Sequence, residues 1–278
     1  MSATAFQTQY RQEFVAGLEQ RKSFLASVCT NEAVIKGNTA TFLVADSGVT
    51  TTAVTRGVNG LIPARSDNLN QFSATLQEWH DLVRKTGFNV FASQGDQRRI
   101  MQETTMAVLN RKIDADIISQ FDTATNTTGA TGVVATLALF AKGAGILGRL
   151  FVDLGDTENL FAAITPAAWQ YLMQVKEFAS VQYVDSKPFT GKAGVVPRWM
   201  GFNWIVHPNL TGAGTSTEKC YMFHRSAVGH AIDTTGLSTP VGYNEEQDYS
   251  YARATIFMGS KLLQQGGIVQ VVHDGSAI

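Results

Sequence analysis

The stretch NTATFLVADSGVTTTAVTRGVNGLIPARSDNLNQFSATL, residues 38–76, restricts the fold more than any other part of the chain. It is rich in Thr, Val, Gly, Asn and Asp and shows little helical periodicity, which predicts short strands joined through a long polar excursion, a β-hairpin. A loop of that length in a compact domain is functional or mobile, and this one holds too few large apolar side chains to build its own core. It is expected to lie against something else.

The flanking segments are more regular. Phe6, Tyr10, Phe14 and Leu18 recur every fourth residue with Leu25 beyond them, predicting an amphipathic helix over 5–26. Phe72, Ala74 and Leu76 alternate, and a second strand runs through Leu82 and Val83. Asp96 then caps a helix of about seven turns that ends near Phe121, with Met106, Leu109, Ile113, Ile117 and Phe121 on one face. Asp114 and Asp116 are expected on its solvated side.

TATNTTGATG, residues 123–132, is a small-residue linker and the best boundary in the chain. Beyond it a helix is expected over 134–148 and a short strand over 151–153. TPAAWQYLM then starts a helix with Thr165 as N-cap and Pro166 at the first helical position. GKAGVVPRWMGFNWIVHPNL and KCYMFHRSAVGHAI read as interior strands of an α/β unit, and Ile268 to His273 as a final strand.

Composition narrows the function classes. Only 16% of the 278 residues are charged, against the ~25% usual in soluble domains, so many surfaces must be neutral, polar or covered by a partner. A net charge of −1 without any Lys or Arg block argues against a chain whose main work is gripping phosphate backbones. No run reaches the roughly 18 apolar residues of a membrane span, and Met1 to Tyr10 lacks the order of a signal peptide, so the chain reads as intracellular. Cys29 and Cys220 are then expected reduced.

CYMFHRSAVGHAI gathers the residue types of a zinc or thiol site: Cys220, His224 and His230. On one strand, however, those positions spread over roughly 33 Å at ~3.3 Å per residue, too far for one ion. A Cys-His nucleophile also wants an anion-stabilising turn, and no Gly-rich elbow stands beside Cys220. AKGAGILG lacks the order of a phosphate loop, and the pairs Asp114/Asp116 and Glu245/Glu246 do not face each other as acid and base must. Trp199, Phe202 and Trp204 alternate like a strand with a buried side, which favours core over a base-stacking platform. No catalytic, cofactor or metal constellation emerges.

The order of parts resembles the major capsid proteins of tailed bacteriophages, the Hong Kong 97-type fold, over essentially the whole chain. The resemblance is carried by TRGVNGLIPARSDNLNQ, TPAAWQYLMQVKEFAS, GVVPRWMGFNWIVHPNL and FHRSAVGHAI in that order. It implies an α+β fold with an N-terminal arm (1–30), an extended loop and peripheral domain with a spine helix (31–132), an axial domain (133–232) and a return to the peripheral domain (233–278). It assigns FHRSAVGHAI to the closing of the axial core and implies no chemistry for Cys220, His224 or His230.

The implied function is a coat subunit that assembles with itself, as pentamers and hexamers, into an icosahedral head around double-stranded DNA. A separate scaffolding protein is expected, because almost no extension precedes the arm helix. A portal protein and non-specific contact with packaged DNA complete the implied partners, with assembly in the host bacterial cytoplasm and final residence in the virion. Phe6, Tyr10, Phe14 and Leu18 on the arm, with Arg56, Arg65, Asp67 and Glu78 around the loop, are the expected inter-subunit contacts. The alternatives are an intracellular α/β enzyme using the Cys/His segment and a cellular nanocompartment shell protein of the same fold.

Overall fold

A computed structural model describes residues 22–31, 33–46, 52–64, 68–87, 97–129, 132–176 and 198–276. The chain divides into two compact units, each built from separate stretches. The first comprises Met1–Lys22, Glu78–Lys112 and Asp233–Phe257; the second comprises Ser23–Gln77, Ile113–Ile232 and Met258–Ile278.

The second unit holds the larger core. Its five strands are β5 (Leu160–Ile164), β6 (Arg198–Trp199), β7 (Phe202–Val206), β8 (Glu218–His224) and β12 (Ile268–His273), in the spatial order β12-β8-β5-β7-β6. β5 and β7 run parallel and the other pairs antiparallel. A parallel pair needs a crossover, and the helix Pro166–Gln174 lies in it. Thr165 caps that helix as expected, its hydroxyl accepting from the Ala168 N–H at 3.2 Å. A longer helix, Leu137–Arg149, packs Phe140 and Leu147 into the same core with Trp204, Met222 and Val271. It approaches closely because Gly143 has no side chain: a Cβ there would stand 2.9 Å from Met222 Sδ. Trp199, Phe202 and Trp204 are all buried, so the aromatic alternation is core.

A three-stranded sheet extends from this unit: β1 (Val34–Lys36), β2 (Thr39–Asp46) and β3 (Asn68–Thr75), in the order β1-β2-β3. β2 and β3 pair antiparallel from Thr39 opposite Thr75 to Asp46 opposite Asn68, so the polar excursion of the sequence does spring from a hairpin. Ala40, Phe42 and Ala74 root it on Ala231 and Leu263.

The remaining sheet, most of whose residues belong to the first unit, joins β4 (Gln77–Thr86), β10 (Val241–Asn244) and β11 (Tyr249–Leu262) in the order β10-β11-β4, with β9 (Val228–Ser238) also paired to β11. Lys112 sets its ammonium 3.8 Å from the centre of the Trp79 ring, and Arg84 stacks on Tyr249 at 5.0 Å. The long helix α1 (Gln97–Phe121) begins in this unit and ends in the second; Asp96, its expected cap, lies outside the described residues.

Three local expectations need correction. Residues 151–153 form no strand; the chain there is a helix terminus and turns, and the strand is β5, nine residues on. The helix expected to reach residue 26 does not, because residues 24–29 are bends and turns. The Phe24 and Leu25 N–H groups donate to the Asp114 carboxylate at 3.2 Å each, a partner that helix continuation would not offer. The remainder of that segment lies outside the described residues. Finally, Asp114 is not on a solvated face: it is buried, and Asp116 is half-buried and accepts from the Ser260 hydroxyl at 2.6 Å. Within the expected linker 123–132, residues 126–128 run beside β12: the Thr128 N–H donates to Gln270 O and the Gln270 N–H to Asn126 O.

Candidate assembly surface

Alternation sorts the hairpin into two faces. Phe42 and Ala74 point to the core, whereas Leu43 and Leu69, both 77% exposed, stand on the other face beside the exposed Val34. Further out, residues 52–64 carry Val54, Val58, Leu61 and Ile62, every one of them exposed. A tight turn orders this part, with the Gly57 N–H donating to Leu61 O and the Gly60 N–H to Gly57 O. Monomeric proteins rarely leave contiguous apolar surface in water, and such surface marks sites of association. The excursion, expected from its sequence to be polar, thus displays exposed apolar side chains as well.

Where the chain enters the second unit, Asp114 organises it. Its carboxylate accepts from the Ser23 hydroxyl at 2.5 Å, from two backbone N–H groups, and from His207 Nε2 at 3.1 Å. The tautomer follows from the second ring nitrogen: His207 Nδ1 accepts from the Asn209 N–H, so Nε2 carries the proton and donates it. Burial works to raise the Asp114 pKa, but these hydrogen bonds outweigh it and hold the carboxyl below the usual value. Residues 28–30 then run beside β9, with the Thr30 N–H donating to Val228 O and the His230 N–H to Thr30 O.

An open groove of about 1350 Å3 lies against the hairpin base, lined among others by Val44, Phe72, Gln120, Phe151, Lys261 and Leu262. Phe151 at its rim has an unusual backbone. The helix Leu137–Arg149 closes with the Phe151 N–H donating to Gly148 O and the Val152 N–H to Leu147 O, a Schellman motif. Its left-handed position, normally glycine, is here Phe151 at φ +61°, with its ring 74% exposed. A side chain in that conformation costs roughly 1–2 kcal/mol. The exposed Leu154 follows on the next turn.

The Cys/His segment is dispersed. Cys220 Sγ lies 3.4 Å from His273 Nε2 and 3.8 Å from Thr165 Oγ1, wholly buried, and burial pushes its pKa up to about 12. It is therefore a thiol at neutral pH and not a nucleophile. His224 is engaged elsewhere: its Nδ1 accepts from the Ser226 N–H and hydroxyl, and its Nε2 faces Asp156 at 3.4 Å. That hydroxyl, imidazole and carboxylate line up, yet the ring is committed to capping the 3-10 turn Arg225–Ala227. His230 Nδ1 meets the Ser260 hydroxyl at 2.8 Å. Among the described residues, no three His, Cys, Asp or Glu side chains are grouped to hold a metal ion.

Of the expected contact residues, Arg56 is exposed on the excursion. Glu78 is exposed on β4, 3.1 Å from His80 Nε2. Phe6, Tyr10, Phe14, Leu18, Arg65 and Asp67 lie outside the described residues. Sequence reasoning missed Asp114, although its spacing was informative. It sits three and four residues before Ile117 and Ile118, both buried, so it shares their side of the helix. Phe151 gave no such signal.

The model of the phage capsid protein family matches residues 3–274. The chain belongs to the phage capsid protein family. Solved structures agree on its fold. A chain of Mycobacterium phage Che8 is 16% identical with a TM-score of 0.69, over 94% of this chain and 98% of that one. The capsid of a native GTA particle is 12% identical over 99% of both chains at a TM-score of 0.67. The mature capsid of bacteriophage PhiM1 is 12% identical at 0.67, covering 95% and 90%. No curated protein matches the chain. The α+β fold is thus the Hong Kong 97-like fold of phage capsids, and the chain is a major capsid protein that forms the phage head. The Cys/His enzyme reading loses its footing with the dispersal of Cys220, His224 and His230.

Proposed function

We propose that this capsid protein builds a closed icosahedral head from pentamers and hexamers of itself around the double-stranded DNA genome of a tailed phage, without enzymatic activity. The observation that carries the reading is the exposed apolar set Val54, Val58, Leu61 and Ile62, displayed on an excursion whose base is rooted in a core. Such a surface leaves water only when another molecule covers it, and each of many weak contacts is multiplied once a neighbour is tethered.

In this reading residues 1–30 form an arm, 31–132 the extended loop and peripheral domain, 133–232 the axial domain and 233–278 the return. Phe6, Tyr10, Phe14 and Leu18 make apolar contacts through the arm, and Arg56, Arg65, Asp67 and Glu78 make polar contacts around the loop. Assembly takes place in the host bacterial cytoplasm with a separate scaffolding protein, a portal protein occupies one site of the shell, and the virion is the final location. Contact with DNA is non-specific and modest, in keeping with a net charge of −1.

Negative-stain electron microscopy of the purified chain after size-exclusion chromatography, with and without its scaffold, tests this. Shells, tubes or rings of five or six subunits are the expected outcome. Deleting residues 52–64 should abolish them while leaving a folded subunit, and intact particles from that deletion would overturn the role of the excursion.

A further inference from the structure

We infer that Phe151, with Leu154 beside it, is a docking knob for a second copy of this chain, a contact distinct from those of the hairpin tip and the arm. The inference rests on the shell-subunit reading above. A helix that ends in a Schellman motif is served best by glycine at the left-handed position, and here the position holds a phenylalanine at φ +61°. The ring does not repay that strain inside its own subunit, because it is 74% exposed. Little of Phe151 is therefore buried in its own subunit to offset that strain.

The surroundings favour a copy of this chain as the occupant. Phe151 lines the groove of about 1350 Å3 together with Val44 and Phe72 of the hairpin base and with Thr52, where the exposed excursion begins, so the knob adjoins the segment already read as inter-subunit. Arg149 and Asp153 flank it, both exposed and of opposite sign, so the patch selects neither an acidic nor a basic partner. It suits a neighbour of net charge −1.

The test compares wild type, Phe151→Gly and Phe151→Ala as full-length chains. Below the assembly threshold, Phe151→Gly should raise the melting temperature of the free subunit by about 2–4 °C through release of the left-handed strain, whereas Phe151→Ala keeps the strain and should not. Both variants should need at least about tenfold more protein than wild type to form shells, the effect of losing one buried aromatic contact. Either variant forming shells at the wild-type concentration would overturn the knob while leaving the shell reading intact. Wild type forming no shells, with scaffold present, would overturn the shell reading and the knob with it.

Discussion

His207 donates from Nε2 to Asp114 Oδ2 across 3.1 Å, with side chains only 1% and 2% exposed, and this pair fixes where the chain enters the second unit. The same carboxylate holds Ser23, Phe24 and Leu25. Replacing Asp114 by Ala would leave an imidazole, a hydroxyl and two N–H groups buried without this acceptor. The expected loss is about 1–3 kcal/mol of unfolding free energy for each buried donor left unpaired, with Asp114→Asn losing less because its amide oxygen still accepts. Denaturant titration of the free subunit measures both, and equal stability of the Ala variant and wild type would refute the anchor.

Acid should unfold the second unit in two ranges. Burial lowers the pKa of His230 and of His273 below the usual 6.5, so the unfolded chain takes up protons first and stability falls as pH drops below about 6.5. Asp114 and Asp122 are held below 3.8, so the stability they supply is present above that value and is lost only as pH falls through their folded pKa. His230→Gln should make the upper limb shallower, with the part due to His273 remaining, and leave the lower one. A chain whose stability is constant from pH 7 to 5 would contradict the assignment.

Much of the fold was legible because local and tertiary signals agreed. Ile268–His273 is a strand to the residue, since its apolar run is bounded by a Gly-Gly turn and Asp274. Thr165 and Pro166 mark a helix start by chemistry that needs no neighbour. β5 was missed because LFAAI contains two alanines and no polar alternation, while Phe151 and Val152 resembled a strand although hydrogen bonds to Gly148 and Leu147 make them a helix cap. Asp114 was misplaced because its partners stand about ninety residues away at His207 and Ser23, separations that a local pattern does not encode.

Cys220 should be inert in the folded chain. Its pKa of about 12 leaves almost no thiolate at pH 8, and its sulfur is wholly buried. Cys29, also buried with a pKa pushed up to about 12, should behave likewise. Labelling with a thiol reagent is expected to wait on unfolding, with both cysteines reacting together in denaturant. Fast labelling of either under native conditions would show that the core around it opens readily.

The attachment of the hairpin to the second unit depends on one missing side chain. A Cβ at Gly229 would stand 2.6 Å from Phe42 Cε1, so β9 can pass beneath the ring only as glycine. Gly229→Ala should destabilise the subunit by about 1–3 kcal/mol through overpacking, and Phe42→Ala by about 3–5 kcal/mol through loss of a buried ring. The double variant separates contact from coincidence. Once the ring is gone, alanine at 229 has nothing to strike, so Gly229→Ala should cost little in the Phe42→Ala background and the two effects should fail to add by about 0.5–3 kcal/mol. Strict additivity, read from denaturant midpoints of the four proteins, would mean that the hairpin is not seated on β9 through Phe42.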